Sequence, residues 1–275
     1  MFYKVQLNQN GEWFDPQQRM RIVFKNIIRQ SPVYEVEYVD FAGTNGSREA
    51  ASSFRPFELV FEIDLFFDDE NDKELLETEM HQLFFPGYPY YLNHDLAPGK
   101  MFLVNPISLE LQEEIIAPNY ANYKVTLNAF RGYAESLTTT LTDFSLDEEW
   151  QFSQGLIAED YKYTHNTSRF VIYNAGDFAV DPREHYLKIK IEGMSDGKLT
   201  LFNRTTGERF SYNGTLHSER GETLTLDGVY PLKNGVHCGL DTNHGLITLL
   251  PGANEIEISN VSRIKTSWDF RFLYK

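Results

Sequence analysis

Alternation of apolar and polar positions is the strongest signal in the first half of the chain. Tyr34 to Phe41 (YEVEYVDF), Phe57 to Phe67 (FELVFEIDLFF) and Tyr123 to Phe130 (YKVTLNAF) each repeat with a period of two, as half-buried strands do. In the second run Phe57, Leu59, Phe61, Ile63 and Leu65 share one face, and Glu58, Glu62 and Asp64 lie on the other with Val60. That predicts one core face and one wet face. Between two such runs, Gly43, Asn45, Gly46 and Ser47 predict a loop or hairpin tip with positive φ. One helix interrupts the strands. Asp69, Asn71 or Asp72 can cap it, acidic residues crowd its first turn, Leu76, Met80, Leu83 and Phe84 follow helical spacing, and Pro86 and Gly87 stop it.

After residue 135 the pattern changes. A Thr-rich stretch, SLTTTLT from Ser136 to Thr142, precedes the charged run Asp147 to Glu149 and is the candidate junction, placed between residues 134 and 150. Beyond it short strands recur between turn signals: Phe170 to Tyr173, Tyr186 to Glu192, Lys198 to Asn203, Thr223 to Asp227, Gly245 to Leu250, Glu255 to Ser259 and Trp268 to Tyr274. Such spacing predicts a sandwich or jelly roll. The 275 residues suit two domains, 1–140 and 141–275, each large enough for its own core.

Composition narrows the function classes. Aromatics reach 15%, which favours sheets, and 25 basic against 40 acidic side chains give a net charge of −15. A groove for nucleic acid lined by Lys and Arg is not expected from that balance. The first 140 residues hold 11 basic and 21 acidic side chains, so the acidic excess is concentrated there. One cysteine, Cys238, cannot form an internal disulfide. The N-terminus lacks a basic and then apolar leader pattern, and no apolar run approaches a membrane span, so synthesis in the cytoplasm without membrane insertion is expected.

Enzyme fingerprints are missing from the sequence: there is no Gly-rich phosphate loop, GxSxG, HExxH or paired CxxC. His237, Cys238, Asp241 and His244 mix metal-ligating types within eight residues, but adjacent strand residues point to opposite faces, so a hairpin is the better reading. The acidic run DDENDKE lacks the glycine and spacing of a calcium loop and reads as a capped helix start. The aromatic run FFPGYPYY, Phe84 to Tyr91, suits a core or an interface more than stacking on sugars. Neither cofactor, metal nor catalytic pair is expected.

The order of these features resembles the siphophage distal tail proteins (Dit), a family of phage tail components. The N-terminal part is similar in its loop Ala42 to Ser47 (AGTNGS), the Arg-led strand RPFELVFEI from Arg55, the capped helix and the strand entry PGKMFLV from Pro98, and the junction in WQFSQGL, Trp150 to Leu156. The C-terminal part is similar in NAGD (Asn174 to Asp177), NRTTG (Asn203 to Gly207), LTLDG (Leu224 to Gly228), PGANEI (Pro251 to Ile256) and FRFLY (Phe270 to Tyr274). These segments are turn chemistry that builds a fold and does not catalyse.

The resemblance implies a mainly β protein: an N-terminal ring-forming β-sandwich-like domain with one helix, followed by a C-terminal galectin-like β-sandwich. It implies a hexameric homo-oligomer at a virion tail tip, of phage or prophage. Its neighbours would be the major tail tube protein, the tape measure protein and the tail-associated tip protein, with receptor-binding or accessory baseplate proteins beyond. Candidate interface residues are Thr44, Asn45, Gly46, Arg55, Phe84, Phe85, Tyr88, Tyr90 and Tyr91. The loop from Thr44 to Arg48 departs from the Arg-Asp type often found there. The rival reading is a carbohydrate-binding adhesin, with Trp150, Tyr212, Tyr230 and Trp268 as available aromatics.

Overall fold

The computed structural model describes residues 2–112, 119–142 and 161–275. Asp147 to Glu149 and the WQFSQGL segment lie outside them. The chain divides into two compact units, Met1–Ala134 with Lys275, and Glu135–Tyr274. The described residues are mainly β with one α-helix.

The first unit contains β1 (Val5–Gln9), β2 (Glu12–Phe14), β3 (Ile22–Arg29), β4 (Tyr34–Asp40), β5 (Ser47–Phe54), β6 (Phe57–Phe66), α1 (Glu70–Phe84), β7 (Tyr90–His94), β8 (Lys100–Leu111) and β9 (Tyr120–Ala129). Seven strands follow the antiparallel order β2-β1-β7-β8-β9-β6-β3. Strand β8 changes partner along its length: Phe102, Leu103 and Val104 face β7, while Asn105 to Leu111 face β9 across a bulge between Pro106 and Ser108. Ahead of β1, Tyr3 N–H donates to Phe24 O of β3 at 3.0 Å, so the sheet curls back on itself and covers its own edge.

The core face of β6 is as the alternation predicts, with Phe57, Leu59, Phe61, Ile63 and Leu65 all buried. Its other face is partly covered. Asp64 is buried there, accepting from Asn122 Nδ2 at 2.9 Å and the Tyr120 hydroxyl at 2.5 Å, with Lys25 Nζ 3.2 Å away. Three partners compensate a carboxylate taken out of water.

Helix α1 begins where the acidic residues predict. Asp69 is the cap, its Oδ1 accepting from Asp72 N–H at 2.9 Å, and Leu76, Met80 and Phe84 form the buried stripe. The Asp68 N–H and the Arg21 guanidinium hold the Asp72 carboxyl below the usual carboxylate range. The acidic start is therefore a bonded helix end. Asp69→Ala should lower the stability of this unit by about 1 kcal/mol, and a thermal midpoint identical to wild type would show that Glu70 and Asp72 suffice at that end.

The second unit contains β10 (Ala134–Ser136, from Glu135 on), β11 (Thr164–His165), β12 (Arg169–Asn174), β13 (Leu187–Ser195), β14 (Leu199–Asn203), β15 (Arg209–Tyr212), β16 (Leu216–His217), β17 (Leu224–Asp227), β18 (Tyr230–Lys233), β19 (Val236–His237), β20 (Gly252–Ser259), β21 (Ser262–Phe270) and β22 (Leu273–Tyr274). One sheet runs β11-β21-β13-β17-β18-β19 with β16 beside β13, and a second runs β12-β20-β14-β15. Phe170 of the second meets Trp268 of the first edge-on at 6.1 Å, within an aromatic core that includes Phe210 and Phe270. The Thr-rich run is bonded into this unit. Ser136 N–H donates to Phe272 O at 2.8 Å, and the Thr140 hydroxyl donates to Trp268 O at 2.7 Å.

Three buried asparagines give the NAGD, NRTTG and PGANEI segments their structural meaning. Asn174 Nδ2 donates to Phe178 O (2.9 Å) and Leu249 O (3.1 Å) while its Oδ1 accepts from Gly176 N–H (2.9 Å). Asn203 donates to Thr248 O (2.8 Å) and accepts from Thr205 N–H (3.0 Å). Asn254 accepts from Leu250 N–H (2.9 Å) and donates to Leu250 O (2.8 Å), and Asn203 Nδ2 reaches its Oδ1 at 3.3 Å. The expected strand Gly245 to Leu250 is accordingly not a strand, apart from a single bridge between Val180 and Leu249. Its backbone groups bond to asparagine side chains and to Glu208, which accepts from Thr248 N–H at 2.6 Å, instead of a full ladder.

Candidate functional site

The ribbon formed by β4 and β5 is unlike every other strand pair in the first unit. The two strands pair only with each other, from Tyr34 opposite Phe54 to Asp40 opposite Ser47, with a bulge between Glu37 and Tyr38. The apolar alternation of YEVEYVDF predicts a half-buried strand, yet six of the seven β4 residues are exposed and Val36 is half-buried. Tyr34 is 53% exposed, Tyr38 65% and Phe41 50%. The pattern is that of a covered face, and the described residues of this chain do not cover it.

At the tip, Thr44, Asn45 and Gly46 are exposed, and Gly43 and Gly46 have φ of +83° and +71°, as the turn residues predict. The Thr44 hydroxyl closes the turn by donating to Phe41 O at 2.8 Å. Arg48 lies over the Phe41 ring, 5.3 Å from its centroid. At the base, Arg55 N–H donates to Val33 O at 2.8 Å, and its guanidinium pairs with Glu35. The ribbon is thus anchored at one end, and both of its strands are edges whose outer backbone groups are open as well as their side chains.

The aromatic segment after α1 separates into inward and outward rings. Phe84 and Tyr90 are core residues, 1% and 2% exposed, with the Tyr90 hydroxyl donating to Phe84 O at 3.2 Å. They cannot meet a partner directly, and their place in the candidate interface is corrected on that ground. Tyr88 is exposed and its hydroxyl accepts from Asn10 Nδ2 at 3.0 Å, while Phe85 and Tyr91 are half-buried. Two sequence signals point to this outcome: helical spacing puts Phe84 in line with Leu76 and Met80, and the period of β7 puts Tyr90 on the face of buried Leu92.

The rival sites are not assembled. Trp268 is fully buried and Tyr212 is 2% exposed, so of the described adhesin aromatics only Tyr230, 59% exposed, faces solvent. Trp150 lies outside the described residues. Among the described residues no group of three or more His, Cys, Asp and Glu is placed to hold a metal ion. Burial pushes the Cys238 thiol up, and the Asp241 charge adds to it, opposite to the shift a thiolate ligand needs. No helix of the described residues is long and apolar enough to cross a membrane.

Residues 9–129 match the family model of the phage tail protein RIFT-related domain. Over most of its length the first unit is therefore similar to a phage tail domain of this kind. The capped helix, the projecting ribbon and the sheet strands from β2 to β9 fall within the matched residues, while Tyr3 and most of β1 precede them. The whole chain also shares its fold with a solved structure, the Dit protein of SPP1, which is presented as a paradigm of the hub adsorption apparatus in phages that infect Gram-positive bacteria. The TM-score is 0.70 at 11% identity, covering 98% of this chain and 99% of that one. The phage p2 baseplate in its activated conformation with Sr matches at a TM-score of 0.45 and 12% identity, over 98% of this chain and 97% of that one. No curated protein matches the chain in sequence.

Proposed function

We propose that this chain is a structural component of a siphophage or prophage tail tip, a ring-forming hub that joins the tail tube to the adsorption apparatus and lets DNA pass. The observation that carries the reading is the uncovered β4–β5 ribbon on a phage tail domain. A two-stranded ribbon with Tyr34, Tyr38, Val39 and Phe41 exposed is marginal alone, and the first place to look for its cover is a neighbouring copy. Heterologous contacts of this kind close into a ring, with six copies as the expected number. The candidate contact residues are Thr44, Asn45, Gly46 and Arg55 on the ribbon, joined by Phe85, Tyr88 and Tyr91 beside the helix end.

The charge fits a conduit. With the acidic excess concentrated in the first half, a ring channel repels a passing duplex instead of holding it by phosphate contacts. The chain's partners on this reading are the tail tube, tape measure and tip proteins, and its chemistry is assembly without catalysis.

Mass measurement by light scattering across protein concentration and salt tests the proposal. Six chains of −15 sum to about −90, so a closed oligomer should strengthen as salt screens the repulsion. A monomer at the highest concentration and in added salt, with no ring when the tail-tip partner is present, rejects it.

A further inference from the structure

At the end of β7, His94 is 4% exposed, and neither Nδ1 nor Nε2 has a hydrogen-bond partner among the described residues. Its ring lies parallel to that of Phe102, 5.7 Å between centroids and 1° between planes. Phe102 meets Phe57 edge-on at 6.0 Å, and the Arg29 guanidinium stands over both rings, 5.5 Å from the Phe102 centroid and 5.1 Å from the Phe57 centroid. Four strands therefore bring an unpartnered imidazole and a half-buried cation to one shared aromatic ring. An imidazole without an acceptor is tolerable there only while neutral, because the charged ring has two N–H donors to satisfy.

The backbone around His94 ties this ring to a corner of the unit. Val5 pairs with His94, the Ala97 N–H donates to His94 O at 2.9 Å, and the Asn93 amide donates to Pro98 O and Lys100 O at 2.9 and 2.7 Å. Asp95 is bonded to the Lys4 backbone, its N–H to Lys4 O and its carboxylate to Lys4 N–H, both at 3.1 Å.

We propose that His94 is an acid-sensitive latch: protonating it puts a second cation beside Arg29 on the Phe102 ring and opens the corner from Tyr90 to Lys100 to water. This stands apart from the hub reading, since it needs no partner. Desolvation, with a smaller opposing pull from Asp95 and a push from Arg29, lowers the proton affinity of His94 to a pKa of about 4. In the unfolded chain the same ring takes its proton near pH 6.5. The unfolded state therefore binds more protons between those limits, so the contribution is whole above pH 6.5 and is lost progressively as pH falls toward 4. The 2.5 units between them correspond to a loss of ~300-fold in the folded-to-unfolded ratio.

Urea unfolding of the full chain from pH 7.5 to 4, with hydrogen exchange of residues 90–104, reads this directly. His94→Phe keeps a ring on Phe102 without a titrating group. It should remove the His94 part of the acid loss while the part due to carboxylates, common to both chains, remains. Parallel pH profiles for wild type and H94F overturn the proposal. Arg29→Met covers the case in which H94F does not fold: removing the neighbouring cation eases protonation of His94 in the folded chain, so the acid loss must become shallower than in wild type, and an unchanged slope counts against the latch.

Discussion

Replacing Asn254 by Ala is expected to cost the second unit about 3 to 5 kcal/mol, the largest loss for any single polar side chain in it. The estimate follows from what the amide leaves behind. Leu250 N–H and Leu250 O lose their side-chain partner at 2.9 and 2.8 Å, and Asn203 Nδ2 loses one of its two acceptors, keeping Thr248 O. The Asn254 and Asn203 side chains are fully buried and the Leu250 backbone groups are part-buried, with Leu250 itself 39% exposed, and each unsatisfied buried group costs ~1 to 3 kcal/mol. Asn203→Ala should behave alike, and the double variant should lose less than the sum because the two amides share a bond. Asn213 is exposed and makes only a backbone bond, so Asn213→Ala should stay within about 0.5 kcal/mol of wild type. Urea midpoints followed by fluorescence in a Trp13→Phe, Trp150→Phe background, where buried Trp268 reports the second unit, would measure this. A shift below 1 kcal/mol for Asn254→Ala would mean that the segment from Thr248 to Gly252 relaxes to bond itself.

This hub of asparagines marks where the sequence was legible and where it was not. NAGD, NRTTG and PGANEI read as turns, which is what local spacing can report. That their asparagines meet in one buried cluster is a property of the topology, since Asn174 and Leu249 are far apart in the chain. The same limit explains Gly245 to Leu250, whose apolar run reads as a strand although its bonds go mostly to side chains. Where the decisive interaction is local, the reading came close: Asp69, one of three candidate caps, closes its helix through an N–H three residues away, and Gly43 and Gly46 turn the ribbon with positive φ. Strand β6 was legible because all five alternating apolar residues face one core. Strand β8 was not, because no periodicity announces that residues 102–104 and 105–111 have different partners.

The β4–β5 ribbon is the most instructive case, because its alternation is correct and its burial is not supplied by the described chain. Period two reports that one face is apolar and is silent on which molecule covers it. If a neighbouring copy does, the consequences of mutation separate cleanly from those in the core. Tyr38 is 65% exposed. Tyr38→Ala should therefore leave the thermal midpoint of the isolated chain within about a degree of wild type, while weakening self-association by ~30-fold or more, the ~2 kcal/mol of an aromatic anchor at an interface. Phe84→Ala should do the reverse: it empties a site that is 1% exposed, costs about 3 to 5 kcal/mol of folding stability, and affects assembly only by unfolding the unit that assembles. Measuring mass against concentration beside a thermal melt for both variants distinguishes an interface from a scaffold. Equal association by wild type and Tyr38→Ala would remove that face of the ribbon from the contact and leave Thr44, Asn45, Gly46 and Arg55, with Tyr88 and half-buried Phe85 and Tyr91, as the candidate contacts.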